Sequence, residues 1–287
     1  MISVEYRANV CCKLRPVSAR PVTVSLILPV LNREERLVDV LEQIQSTLAD
    51  PGPEVVVVYD VTPGLLGAVQ SEQRELEERF AIRSVTRLNQ RGFGSALREG
   101  FQNSSGQVII PVMADYSDDI AVIPDMLAKI EAGADVVAGC RYMPGGGIVG
   151  DTIKQRLSRL YSKAMQMISR LPCQDVSNSF KAYRREVWEN IATEARSFDF
   201  SVEMTVKAAV RGYRISEVPA VWTNRQAGRS QFRMFRELSN YGRWLLYAAA
   251  HLPSRFFLVS ITVGTAALAL LALRSRPGRG RRGGFFG

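Results

Sequence analysis

The first half of the chain alternates apolar runs with segments in which apolar residues recur every three or four positions. Val22–Leu28 is a β-branched apolar run ended by Pro29. Further strands are predicted at Glu54–Tyr59, Ile82–Arg87, Gln107–Met113 and Asp135–Cys140. Runs such as VTVSLIL and EVVVVY, apolar almost throughout, fit strands covered on both faces. Between the strands, Arg33–Ala49 sets Leu37, Leu41, Ile44 and Leu48 on one helical face, and helices are also predicted at Leu65–Phe80, Ser95–Phe101 and Ile120–Ala132. This alternation predicts an α/β fold with a mostly parallel sheet flanked by helices. Such sheets bind ligands at the carboxyl ends of their strands, which singles out Pro29–Asn32, Asp60, Asn89–Gly94, Asp115–Asp119 and Arg141–Gly147.

The second half is more mixed. Ile153–Ile168 has a helical apolar stripe, Phe180–Tyr183 is strand-like, Ser201–Arg211 is a helix closed by Gly212, and Arg214–Thr223 is strand-like. Gln231–Leu252 is amphipathic: Arg229, Arg233, Arg236 and Arg243 fall on one side, and Phe232, Phe235, Leu238 and Leu245 on the other. Such a helix is expected to lie in a membrane interface. Phe256–Leu273 is an uncharged run of 18 residues between Arg255 and Arg274, just long enough to cross a bilayer core. The expected division is an irregular extension (1–21), a catalytic domain (22–228), a juxtamembrane helix (229–254), a transmembrane or membrane-embedded helix (255–274) and a basic disordered tail (275–287).

Composition narrows the chemistry. The net charge is +9, but Arg274, Arg276, Arg279, Arg281 and Arg282 supply five of those charges. The remainder carries about +4, which removes most of the support for a nucleic-acid partner. Four cysteines without a C-x-x-C pair and a single histidine, His251, argue against a zinc site and against Ser–His or Cys–His catalysis. Reduced thiols and a cytoplasmic catalytic face follow as expectations. A single span would put the arginine-rich tail on the far side, against the positive-inside rule. The segment is therefore either re-entrant or interfacial, or its companion span lies outside this chain.

The densest chemistry lies in Met113-Ala-Asp-Tyr-Ser-Asp-Asp119, where a buried strand runs into three carboxylates. Acids at a strand's carboxyl end suit a hard divalent cation such as Mg²⁺ or Mn²⁺, which completes its shell with phosphate oxygens. Ser117, Asp118 or Asp119 can instead cap the helix near Ile120, whereas Asp115 lies too far upstream to cap it.

Seven segments appear in the order found in glycosyltransferase family 2, which the chain resembles, with polyprenyl-phosphate (dolichyl-type) sugar synthases nearest. They are VSLILPVLNREE (24–35), VVVVYD (55–60), LNQRGFGSALREGF (88–101), VMADYSDDIAVIP (112–124), ADVVAGCRYMPGG (134–146), QDVSNSFKAYRREV (174–187) and EVPAVWTNRQAGRSQF (217–232). The resemblance implies a GT-A (Rossmann-like) fold and inverting transfer from a nucleotide sugar to a polyprenyl phosphate or other lipid-linked acceptor at a membrane. A second copy of the chain or a separate membrane subunit is a compatible partner.

The resemblance also implies site residues. Pro29, Asn32, Asp60, Asn89, Gly92, Gly94, Ala114 and Asp115 would bind the donor. Asp115 and Asp118 would hold the metal. Arg141, Arg156, Arg225, Arg229 and Ser230 would receive the acceptor phosphate, and Asp115, Arg141, Asp175 and Glu203 would act in catalysis. Asp175 or Glu203 would serve as a base only for a hydroxyl acceptor, because a phosphate is already an anionic nucleophile. The chain departs from the pattern at several positions. Met113 replaces the first aspartate of the DxD pair, Tyr59 the first of two acids, Arg33 the acid after Asn32, and Gln231 a terminal lysine. These departures keep two alternatives open: transfer to a glycan or glycolipid hydroxyl, and a non-catalytic relative.

Overall fold

The computed structural model describes residues 22–34, 36–48, 52–150, 153–224 and 234–252, apart from the side chains of residues 154, 234–236 and 238. Nine strands are defined among these residues: β1 (Val24–Leu31), β2 (Glu54–Val61), β3 (Ile82–Leu88), β4 (Val108–Pro111), β5 (Val136–Cys140), β6 (Gly147–Val149), β7 (Lys181–Arg184), β8 (Ile215–Pro219) and β9 (Val221–Thr223). Seven of them form one sheet in the order β3-β2-β1-β4-β7-β5-β8, and β6 pairs with β9 in a second. Every pairing in the large sheet is parallel except those of β7, which runs antiparallel to both neighbours.

The helices are α1 (Leu37–Thr47), α2 (Leu66–Arg79), α3 (Phe93–Gln102), α4 (Ile123–Glu131), α5 (Ile153–Ser169), α6 (Arg185–Glu189), α7 (Phe200–Val210) and α8 (Met234–His251). Alternate residues of one strand feed two cores. On β2, Val55, Val57 and Tyr59 pack with α1, α2 and α4, whereas Val56 and Val58 pack with α3, α7 and α8. This double burial is why β1 and β2 are apolar throughout rather than alternating. Gly100 lets α3 sit tightly on the sheet, because a Cβ there would collide with Ile27.

Two expected strand limits move. Pro29 does not end β1, which continues to Leu31. The Ile27 carbonyl accepts from Val112 N–H, so alternate residues of β1 bond toward β4, and Pro29 falls on that side. The pairing with β4 stops at Ile27↔Pro111, so no donor is needed from Pro29. The strand-like run 214–223 is broken at Ala220, where β8 leaves the large sheet and β9 begins.

The carboxyl-terminal amphipathic helix belongs to the core. Trp244 and Ala248 of α8 are buried, and Trp244 Nε1 donates to Asp199 Oδ2 at 2.9 Å. Ser197 Oγ donates to buried Glu237 of the same helix. Leu245, expected to face lipid, is half-buried against α5 and α7, and the core extends past the expected boundary at 228. Among the described residues no helix is long and apolar enough to cross a membrane, and the expected span at 255–274 lies outside them.

Candidate active site

Three groups of polar residues sit at the carboxyl ends of the parallel strands. The first joins β2 and β3. Asp60 is buried, its Oδ2 accepts from Gly92 N–H at 3.2 Å, and its Oδ1 pairs with Arg87 Nε at 3.2 Å. Arg87 Nη2 donates to Ser95 Oγ at 2.8 Å, while its buried Nη1 has no hydrogen-bond partner. Burial pushes the Asp60 carboxyl up to about 6, even though Arg87, the Gly92 N–H and Arg91 favour the anion. Arg87 is absent from the expected site residues because the alternation in IRSVTRL reads as a half-exposed strand. Its place at a strand's carboxyl end was the available signal.

Neighbouring residues shape this group. Asn32, at φ 58°, donates its N–H to the Asp60 carbonyl and accepts from Thr62 N–H, so it locks the ends of β1 and β2 together. Asn89, at φ 52°, donates to the Val61 carbonyl and is exposed. Gly92 lies at φ 137°, and a Cβ at Gly92 or Gly94 would meet backbone oxygens of residues 195–197.

Asp60 sets a pH expectation. The ionised form pairs with Arg87 and offers both oxygens as acceptors; protonation removes the charge of the pair and turns one oxygen into a donor. Affinity for a nucleotide sugar should therefore fall as pH drops below about 6, approaching about tenfold per unit. Calorimetric titrations of wild type and Asp60→Asn from pH 5 to 8 check this. Equal slopes in the two proteins would remove Asp60 from the linkage.

The second group is the acidic turn. Asp115 Oδ1 accepts from Ser117 N–H at 3.2 Å, an Asx turn that carries Tyr116 at φ 64°. Asp118 is buried and its Oδ2 turns back to accept from Met113 N–H at 2.9 Å. A carboxylate five residues on is thus tied to the backbone of Met113. Burial raises the Asp118 carboxyl to about 7, with the charges of Asp115 and Asp119 adding to the rise, and the Met113 N–H and Arg141 opposing it. Asp119 occupies the N-cap of the following turn without a side-chain cap bond. Thr223 N–H donates to the Ser117 carbonyl, so β9 closes one side. A cavity of about 350 Å³ opens here, lined by Arg36, Gln43, Asp115, Asp118 and Asn224 among others. Ala114 is buried and Pro29 half-buried beside these groups.

The residues here suit a hard cation only in part. Among the described residues no group of three or more His, Cys, Asp or Glu side chains forms a ligand set. Asp115 and Asp118 offer two carboxylates, and Asp118 is a buried anion disfavoured by its acidic neighbours. Mg²⁺ or Mn²⁺ taking the rest of its shell from diphosphate and water fits that donor set.

The third group is an interior ion pair behind the turn. Arg141 Nε donates to Asp175 Oδ2 at 2.7 Å and Nη2 to Oδ1 at 2.8 Å, a bidentate fork. Its Nη1 reaches Gln155 Oε1 at 2.8 Å and Nη2 also reaches Ser158 Oγ at 3.1 Å. Burial lowers the proton affinity of Arg141, and Asp175 more than offsets this, so the guanidinium stays above its ordinary value. Fully buried Lys181 donates to the Val176 carbonyl at 3.0 Å and to the Asn178 carbonyl, tying down the turn that carries Ser177. Arg141 is thus held within the protein, and its charge is felt at Asp118.

The two acids expected as bases are occupied. Asp175 is 0% exposed and both its oxygens bond Arg141. Glu203 is 0% exposed, accepts from the N–H groups of Glu194 and Ala195, and pairs with Lys207 at 2.6 Å. Glu203 anchors the 193–197 segment rather than facing the acidic turn. Arg156 is exposed on α5, and Arg225, Arg229 and Ser230 lie outside the described residues.

A family model described as glycosyl transferase family 2 matches residues 25–192, more than half of the chain. The chain belongs to that family. The dolichol-phosphate mannosyltransferase of Pyrococcus furiosus is 28% identical over 216 residues, which cover 73% of this chain and 59% of that protein, less than two thirds of its length. The polyprenol monophosphomannose synthase of Mycolicibacterium smegmatis is 28% identical over 224 residues, 75% of this chain and 83% of that one. Among solved structures, glucosyl-3-phosphoglycerate synthase from Mycobacterium tuberculosis, in complex with Mn²⁺, UDP and glucosyl-3-phosphoglycerate, superposes with a TM-score of 0.58. The identity is 20%, and the match covers 82% of each chain. That likeness concerns the fold.

Proposed function

We propose that the protein is a membrane-associated glycosyltransferase that moves a sugar, with inversion, from a nucleotide sugar to a polyprenyl phosphate. One observation favours this acceptor over a hydroxyl. Asp175 and Glu203, the family-matched acids available as bases, are fully buried and hydrogen-bonded. Neither can take a hydroxyl proton without breaking its own contacts, and a phosphate acceptor needs no such base. The names of the Pyrococcus and Mycolicibacterium relatives point the same way.

In this reading the Asp60–Arg87 pair orients the nucleoside. Asp115, with Asp118, would hold Mg²⁺ or Mn²⁺, which when bound offsets charge on the diphosphate leaving group. Arg141, kept charged by Asp175, raises the positive potential behind the turn, where negative charge grows as the bond from the anomeric carbon to the diphosphate breaks. The acceptor's phosphate oxygen forms the new bond from the opposite face, inverting the configuration. The free, buried thiols of Cys140 and Cys173 are in keeping with a catalytic domain on the cytoplasmic face.

The test incubates the detergent-solubilised full chain with Mn²⁺ or Mg²⁺, polyprenyl phosphate and a panel of radiolabelled nucleotide sugars. The expected product is an organic-soluble labelled lipid that mild acid releases. An acid-stable product would favour a hydroxyl acceptor. No turnover with any donor would leave the Met113 departure as the mark of a non-catalytic relative.

A further inference from the structure

Two arginines near α1 and α2 are matched to acids: Arg33 pairs with Glu72 and Arg79 with Glu42. Arg36, at the N-cap of α1, reaches the acidic turn instead. Its guanidinium carbon lies 4.8 Å from the centre of the Tyr116 ring, a cation set over an aromatic face. Its Nε pairs with Asp39, three residues on in the same helix. Among the described residues Nη1 and Nη2 make no hydrogen bond to the protein. Both contacts that hold the guanidinium are themselves anchored. Asp39 belongs to the first turn of α1, and Tyr116 is fixed at φ 64° by the bond from Ser117 N–H to Asp115. They fix the plane of the group and leave its outer edge unused.

Arg36 lines the cavity of about 350 Å³ together with Asp115, Asp118 and Asp119. Among the described lining residues it is the one cation against three carboxylates. A phosphate entering alone meets a net negative wall. One divalent cation taken up by Asp115 and Asp118 brings these four side chains to formal neutrality, and a phosphate then meets two positive partners, the ion and Arg36. A guanidinium suits the second role, because its planar edge can present two N–H donors to phosphate oxygens while its face stays on a ring.

We propose that Arg36 is a phosphate-binding residue of this cavity, that Tyr116 positions it, and that the phosphate binds only after the divalent ion. Tyr116 directly follows Asp115, so the platform for the guanidinium and the carboxylate for the ion ride on one turn. Any shift of the turn moves both charges together and keeps their separation. The inference deepens the transfer reading above and rests on it for the source of the phosphate, which is either the donor's diphosphate or the acceptor's monoester. The shared chemistry is an oxyanion held between a metal ion and a guanidinium fork.

The test titrates the detergent-solubilised full chain calorimetrically with UDP, GDP, a short-chain isoprenyl phosphate and inorganic pyrophosphate, each with and without Mn²⁺. Wild type is compared with Arg36→Gln and Tyr116→Leu. With Mn²⁺ present, Arg36→Gln is expected to bind phosphate ligands about ten- to a hundredfold more weakly, the usual loss of a hydrogen bond to a charged group. Tyr116→Leu should lose less, because the Asp39 contact remains. Mn²⁺ affinity without phosphate, read by electron paramagnetic resonance, should not weaken in Arg36→Gln. A loss confined to UDP or GDP places Arg36 on the donor, and one confined to the isoprenyl phosphate places it on the acceptor. Wild-type affinity of Arg36→Gln for all four ligands would overturn the proposal. So would weaker Mn²⁺ binding with a lowered melting temperature, which would make Arg36 a prop for the turn. Equal affinity with and without Mn²⁺ would overturn the order of binding. If wild type binds pyrophosphate with Mn²⁺ but no nucleotide or lipid phosphate, and Arg36→Gln loses it, the transfer reading fails and Arg36 stands.

Discussion

Replacing Asp115 by asparagine lowers sugar transfer at saturating Mn²⁺ about a hundred- to a thousandfold, the loss typical when one preorganised electrostatic contact to a developing anion is removed. Asparagine keeps the shape of the Asx turn, since its amide oxygen still accepts the Ser117 N–H. The loss would therefore report charge rather than a collapsed turn, and an unchanged melting temperature would confirm an intact fold. Asp118→Asn keeps the Met113 contact through its amide oxygen and is expected to lose less, because Asp118 assists rather than leads. Initial rates across a Mn²⁺ titration separate the two. Full activity in Asp115→Asn at every metal concentration would end the metal assignment.

Replacing Asp175 by alanine leaves the Arg141 guanidinium buried without its carboxylate. Breaking one side of a buried pair costs about 3–5 kcal/mol, because the remaining charge stays desolvated. For a domain of this size that corresponds to a fall in melting temperature of roughly 10 °C. Transfer should fall as well, even in the folded fraction at low temperature, since Arg141 would lose its fixed direction. Arg141→Lys keeps a charge but has no fork to span Asp175, Gln155 and Ser158, and should not rescue activity. Scanning calorimetry with single-turnover assays at 15–20 °C below the variant's melting point tests both parts. A melting temperature within the error of wild type would show that the pair does not hold this region together.

Much of this was readable from residue order. The buried strands β1 and β2 announce themselves because both faces are covered, which leaves no polar alternation to confuse them with surface. The acidic turn was legible because three carboxylates crowded at the end of a buried strand repel one another and suit a cation between them. Burial and direction were not legible. The sequence shows Asp175 and Glu203 as acids in family positions, but only packing reveals that Arg141 occupies the first and two loop amides the second. Arg87 was hidden by the half-polar pattern of its strand. The periodicity of α8 was clear, but an apolar helical face looks the same whether protein or lipid covers it, and only packing reveals that Trp244 is buried against Asp199.

The way α8 is fastened has a practical side. Its Trp244 closes onto Asp199 and its Glu237 onto Ser197. Those two residues lie in the segment whose backbone abuts Gly92 and Gly94, next to the Asp60 group. A fragment cut near residue 228 would therefore lose more than a terminal helix. It would open a socket sized for an indole, strand the carboxylate of Asp199 and slacken the wall beside the Asp60 group. Trimming that spares this wall has to fall after Leu252, which makes α8 an indispensable piece of the folded domain.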